Sequence, residues 1–282
     1  MALGSGFGSK VLTLRDELIR LAEEIAAKYA GSQCISSKRV ISLLMEYLCE
    51  RCIIERIKQN YDEDEEIDRV WRNLHEYAVL RLVERLKNEL AAKGFPINIF
   101  SEADNPTGRY DVLLVVNGRS IQILNSGGNI CLEAKTGLNI SLNQSEKYMW
   151  NGTTVVLVRF ASGDVIVLRA ADWIDFLKAA LADRIEKAKR ILDGKIILVP
   201  GRDCYECPAE QCRFKKNSGR EREPTKPRSM EELFDGFRRN AYNAINEAVR
   251  AVMVELSRIL ESEANRTMKA QTLPRKVISH EA

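Results

Sequence analysis

Histidine is nearly missing from this chain of 282 residues, which holds only His75 and His280. A strong excess of one charge is missing too. The net charge is +3, so the overall balance does not mark the chain as a binder of nucleic acid. No apolar run reaches the roughly 20 residues needed to span a bilayer. Met1 to Lys10 is rich in Gly and Ser and lacks the apolar core of a signal peptide, so it reads as a loose lead-in. Seven cysteines, unevenly spaced, are too few for a disulfide scaffold. Ser126-Gly-Gly is too short and wrongly placed for a phosphate loop. No internal repeat is present. With 45% hydrophobic and 29% charged residues, the expectation is a soluble, cytoplasmic, folded protein that makes no use of membranes.

The first third has helical texture. Leu12, Leu14, Leu18, Leu21, Ile25 and Ala26 recur at helical spacing within 11–30. Ser36-Ser37 caps a second helix expected from about Lys38 to Gln59. An acidic approach from Tyr61 to Glu66 leads into a third, which Gly94 ends. Strands are then expected over 97–100, 110–116, 120–124 and 129–135. Val116-Asn-Gly-Arg119 gives a hairpin signal between two of them. A short helix or turn over 144–150 precedes strands at 153–159 and 165–169, a helix at 172–192 and a last strand at 195–199. Ser229-Met-Glu-Glu232 resembles a capping box for a long helix reaching about Glu263, with a loose tail from Arg266. Ile245, Val249, Val252, Leu256 and Ile259 form one stripe on that helix, suited to packing on this domain or to self-association. The class is α/β, read as a helical region over 1–93, a mixed-sheet core over 94–200, and a cysteine loop with a C-terminal helix over 201–282.

Chemistry concentrates between Gly108 and Tyr148. Asp111 opens one strand, and Glu133 and Lys135 stand two apart on a later one, so they project on the same side. Two carboxylates can hold Mg²⁺ or Mn²⁺, with the Ala134 carbonyl as a further ligand. An ammonium beside them can orient a water or offset charge on a phosphate. Glu-x-Lys on a strand is also a common solvent-facing pair, so the triplet needs context.

That context is the order Gly108-x-x-Asp111, Glu133-x-Lys135-Thr-Gly137 and Gln144-x-x-x-Tyr148. The arrangement resembles the PD-(D/E)xK nuclease superfamily, and within it the RecB-type branch. The resemblance implies a restriction-endonuclease-like mixed sheet flanked by helices, and metal-dependent hydrolysis of DNA. It implies Asp111 and Glu133 as metal ligands, Lys135 as the catalytic lysine, and Gln144 and Tyr148 as residues that hold the nucleic-acid backbone or support the site. An upstream helix in that branch also supplies a metal-binding histidine, for which His75 is suitably placed. Related members use a glutamate there instead, for which Glu76 and Glu84 are candidates. Two departures stand out: Tyr110 precedes the Asp where a proline or small apolar residue is commoner, and the Asp-to-Glu separation leaves room for an extra hairpin.

Cys204, Cys207 and Cys212 fall within nine residues around Pro208 and can converge on one metal, zinc or iron–sulfur. A fourth ligand would come from Cys34, Cys49 or Cys52. Cys131 is better read as a packing residue on the face of Glu133. The layout resembles the iron–sulfur subgroup of RecB-like nucleases, which includes CRISPR-associated four-cysteine exonucleases and AddB-type domains. That implies a 4Fe–4S staple between the two ends of the chain. Four residues separate Cys207 from Cys212 where five is usual, which keeps zinc as the alternative. Basic clusters at 187–190, 213–216 and 220–228 would suit backbone contacts with DNA, or are simply solvated. Trp71, Trp150 and Trp173 read as packing residues rather than base-stacking platforms. The function expected is a DNA nuclease, with protein partners or self-association left open. The alternative is a non-catalytic nucleic-acid-binding or assembly subunit with a nuclease-like fold.

Overall fold

Apolar side chains at helical spacing and short β-branched runs sort this chain into seven helices and five strands among the described residues. A computed structural model of the protein describes residues 7–31, 35–46, 48–59, 69–95, 97–105, 107–116, 129–135, 142–197 and 230–272. In chain order they are α1 (Phe7–Tyr29), α2 (Ser37–Met45), α3 (Glu50–Lys58), α4 (Arg69–Lys93), β1 (Ile97–Asn105), β2 (Gly108–Val116) and β3 (Asn129–Lys135). Then come α5 (Leu142–Met149), β4 (Thr154–Arg159), β5 (Val165–Arg169), α6 (Ile174–Leu192) and α7 (Met230–Thr272).

The strands form one mixed sheet in the order β1-β2-β3-β4-β5. The first three run as an antiparallel meander, β4 lies parallel to β3, and β5 returns antiparallel. A parallel neighbour needs a crossover, and α5 supplies it. Both faces of the sheet are covered. On one, Tyr110, Leu113, Val115, Cys131 and Val155 pack with α1, α2, α3 and α6. On the other, Val112, Leu114, Ile130, Leu132, Val156 and Val158 pack with α4 and α7. Burial on both sides explains why β3 and β4 are apolar runs rather than alternating ones.

Three expectations are corrected. The helix expected from Lys38 to Gln59 is two helices. Ser36 caps the first by accepting the Arg39 amide hydrogen, but Glu46 exits in extended conformation and Cys49 restarts the chain as the N-cap of α3. The fully buried Arg56 donates to Glu46 at 3.3 Å and ties the break to α3. Of the strand expected at 195–199, residues 195–197 form none, and among the described residues nothing covers Ile196 and Ile197, which are 44% and 48% exposed; 198–199 lie outside the described residues. The last helix continues to Thr272, past the start expected for a loose tail. The stripe from Val249 to Ile259 is buried against the sheet, which accounts for it by packing within the chain. The strand expected at 120–124 and the Asn117-Gly118 turn lie outside the described residues. No helix is long and apolar enough to cross a membrane among the described residues.

Candidate active site

β2 and β3 pair from Val115↔Asn129 to Val112↔Leu132, and there their ladder ends. Beyond that point β3 continues alongside β4 as far as Lys135↔Arg159, and the Phe160 amide donates to the Lys135 carbonyl at 2.9 Å. Asp111 and Glu133 are the next residues on the two parting strands. The Asp111 side chain replaces the missing ladder bond: its Oδ2 accepts the Ala134 amide hydrogen at 2.7 Å. On the other flank the β1–β2 pairing skips Asp111 as well. Its would-be partner Glu102 takes a left-handed φ of 54°, a costly conformation for a side chain with a Cβ. The backbone is therefore irregular on both sides of the acid.

Asp111 Oδ1 faces His75 Nε2 of α4 at 3.5 Å. Of the upstream candidates, His75 is the one that meets the acid. Glu84 is exposed and pairs with Arg81, and Glu76 is exposed. The hydrogen bond that His75 donates to Asp111 raises the His75 pKa, burial opposes it, and the charges of Asp111 and Glu133 add to the rise.

Glu133 is 1% exposed. Among the described residues neither carboxylate oxygen accepts a well-formed hydrogen bond, and its charged contact is the Lys135 ammonium. Burial, and then the Asp111 charge, push its pKa up to about 7, against the pull of Lys135. Lys135 in turn donates to Gln144 Oε1 at 2.9 Å, and Gln144 Nε2 donates to the Tyr148 hydroxyl at 2.7 Å. That hydroxyl donates to the Arg109 carbonyl. The relay runs from α5 back to the strand that carries Asp111. Tyr148 is fully buried against Tyr110, with ring centroids 4.5 Å apart. Cys131 is buried beside Glu133, as its place on that face suggested, and burial raises its thiol pKa.

Lys147 is the residue that motif reading passed over. It sits inside the Gln144–Tyr148 motif and donates to Ser42 of α2 at 3.2 Å. Burial lowers its pKa, and it feels the charges of Glu133 and Lys135. Its signal was present as a lysine one residue before the tyrosine, but nothing in the sequence brings α2 to it. A methyl placed on Gly108 would meet the Tyr148 ring at 3.6 Å and Lys147 Nζ at 3.9 Å, which is ordinary contact. Crowding therefore does not demand glycine there.

The donor set suits a hard divalent cation. It offers two carboxylates and an imidazole, one of the acids buried with the Lys135 ammonium as its charged contact among the described residues. Among the described residues no group of three or more His, Cys, Asp or Glu side chains is placed to hold a metal ion, so His75, Asp111 and Glu133 do not by themselves form a metal site as they stand. Of the cysteines, Cys49 and Cys52 are buried one turn apart at the start of α3. Cys34, Cys204, Cys207 and Cys212 lie outside the described residues, as do the basic clusters at 213–216 and 220–228. Trp150 is fully buried, in keeping with a packing role, and Trp173 is 44% exposed with its edge against Phe176. Comparison with protein-family models, with curated proteins and with solved structures returned no match.

Proposed function

We propose that the chain is a metal-dependent nuclease of the PD-(D/E)xK kind, with a restriction-endonuclease-like core, acting on the phosphodiester bonds of DNA. One observation carries the reading. Where β2 and β3 part, a buried glutamate that meets only the Lys135 ammonium among the described residues stands with an aspartate at the same strand ends. A carboxylate left in that state costs stability, which makes sense where the site is built to receive a cation. The helix, three-strand meander, helix and parallel strand that frame it also suit this reading.

Asp111, Glu133 and His75 would hold Mg²⁺ or Mn²⁺. Such an ion supplies Lewis-acid polarisation of a phosphate oxygen and a more acidic water. Asp111 keeps one oxygen on the Ala134 amide, so it is held in place while the other faces His75. Gln144 aims the Lys135 ammonium, and Tyr148 aims Gln144. The ammonium can then offset negative charge developing on the phosphate. Lys147 adds a second positive charge on the α2 side. A separate cysteine-held centre, iron–sulfur or zinc, belongs to the proposal as a structural staple. It involves Cys204, Cys207 and Cys212 with one of Cys34, Cys49 or Cys52.

The test is cleavage of labelled single- and double-stranded DNA, and of RNA, with Mg²⁺, with Mn²⁺ and with EDTA, running Lys135→Ala beside the wild type. Cleavage that needs metal and vanishes in the variant supports the reading. A folded wild type that binds DNA but does not cut it would replace this reading with that of a binding subunit. Metal content of Cys204→Ser tests the staple, which fails if content and melting temperature stay unchanged.

A further inference from the structure

A groove of about 830 Å³ runs between α4 and α7 and has no part in the chemistry described above. It begins at Leu74, one residue before His75. Successive residues of a helix are turned by about 100°. His75 therefore points under α4 to Asp111 while Leu74 opens onto the groove, and the two places share one stretch of helix.

The floor and the rim differ in chemistry. The floor includes Phe237, which is buried and packs on Phe160 with centroids 5.9 Å apart. The rim carries Tyr77 and Tyr242, whose rings are 54% and 71% exposed. On α4, Tyr77, Arg81 and Arg85 follow at intervals of one turn, about 6 Å apart along the helix axis. The Arg81 guanidinium lies 5.4 Å from the centre of the Tyr77 ring and donates to its hydroxyl at 3.2 Å. Glu84 pairs with Arg81 and offsets its charge, and Asp235 adds a second acid. Among the described residues Arg85 and Arg238 form no ion pair.

We propose that this groove is the track of a single-stranded nucleic acid leading to the His75–Asp111 site, its bases stacking on Tyr77 and Tyr242 and its phosphates meeting Arg85 and Arg238. The proposal rests on the nuclease reading above and names its substrate class. Exposed aromatic rings interleaved with guanidinium groups, of which Arg85 and Arg238 form no ion pair among the described residues, match a chain of flat bases on an anionic backbone. A duplex keeps its bases stacked on one another and cannot use the rings. An apolar peptide helix would leave Arg85 and Arg238 without partners.

The experiment is fluorescence anisotropy of the full chain with a labelled oligothymidylate and with a labelled duplex, in EDTA so that nothing is cut. Tyr242→Ala and Arg238→Ala change exposed side chains, and circular dichroism confirms their fold. Each should weaken the single strand on the order of tenfold and leave the duplex within about twofold. Arg238→Ala should also flatten the salt dependence by about one phosphate contact. Unchanged single-strand affinity in both folded variants overturns the track, as does an equal loss on duplex. Lys135→Ala, run in parallel, should abolish cutting and keep binding. A wild type that never cuts, yet binds through Tyr242 and Arg238, removes the nuclease reading and keeps the track. A wild type that cuts while both groove variants bind as before does the reverse.

Discussion

Two glutamates in this protein are equally hidden from water, Glu133 and Glu255, each 1% exposed, and their surroundings are opposite. Glu255 on α7 accepts from Arg169 Nε at 3.0 and 3.1 Å and from Arg258 Nε at 2.9 Å. Burial alone would raise its pKa, but the two guanidinium groups overcome that and hold it below the usual carboxylate range. Among the described residues Glu133 meets one ammonium and no other well-formed donor, and burial drives its pKa up. One acid is fully provided for and clamps a helix to β5. The other is left wanting at the parting of two strands. Equal exposure does not mean equal surroundings: Glu133 lies deeper and meets one cation, Glu255 lies nearer the surface between two, and their pKa values shift in opposite directions.

The sharpest way to break this contrast is activity. Glu133→Gln should lower metal-dependent cleavage by about a thousandfold, and Glu255→Gln should leave it within about twofold per folded molecule. Equal losses in single-turnover assays would erase the distinction. Next in size is the dependence on pH. Below about 7 the Glu133 carboxyl takes up a proton, and the hydrogen bond to Asp111 raises the His75 pKa and so favours its protonated form as pH falls. Both must give it up to bind a cation. The Mn²⁺ concentration for half-maximal cleavage should therefore rise about tenfold or more from pH 8 to pH 6. A flat requirement would take both groups out of the cation site.

Stability should separate the two acids in the opposite sense. Glu255→Gln leaves two guanidinium groups without their carboxylate. Both are partly in solvent, which screens the loss, so the cost should be roughly 1–3 kcal/mol by urea unfolding at pH 7. In the metal-free protein Glu133→Gln should instead be neutral or stabilising by roughly 1–2 kcal/mol at pH 8. The signs follow from the shifts. The folded state holds the Glu133 proton more tightly than the unfolded chain. Its contribution is complete below about 4.5 and lost as pH rises through about 7. Glu255 contributes above about 4.5 and loses that as pH falls through its lowered folded value. Unfolding curves of the two variants against wild type, at pH 5 and pH 8, test this. Parallel shifts at both values would refute it.

Much of this frame was legible in the sequence, because the strands and helices around the site announce themselves locally. Tyr110–Val116 and Asn129–Lys135 are β-branched runs, and alternation alone put Glu133, Lys135 and Cys131 on one side of a strand. The break at Glu46 was not legible, since the apolar period runs on through it and the buried arginine that meets Glu46 lies ten residues ahead. Ile196-Ile197 misled because a short apolar run says nothing about whether a neighbour exists to cover it. Lys147 and the α4–α7 groove were invisible for a related reason. Both arise where elements distant in the chain meet, Ser42 against α5 and Tyr242 against α4, and periodicity carries no such information.

The direction of the β2–β3 pair has a consequence for how such a chain tolerates change. The strands are joined through 117–128 at the Val115↔Asn129 end, whereas Asp111 and Glu133 lie past the opposite end at Val112↔Leu132. The chain between the two acids thus leaves β2 and enters β3 at the end of the ladder opposite the carboxylates. Residues can be gained or lost there without shifting either carboxylate, because the intervening pairs hold the register. The connection between these strands is accordingly where lineages can diverge in length, and where an epitope or reporter can be spliced in while the chemistry is left alone.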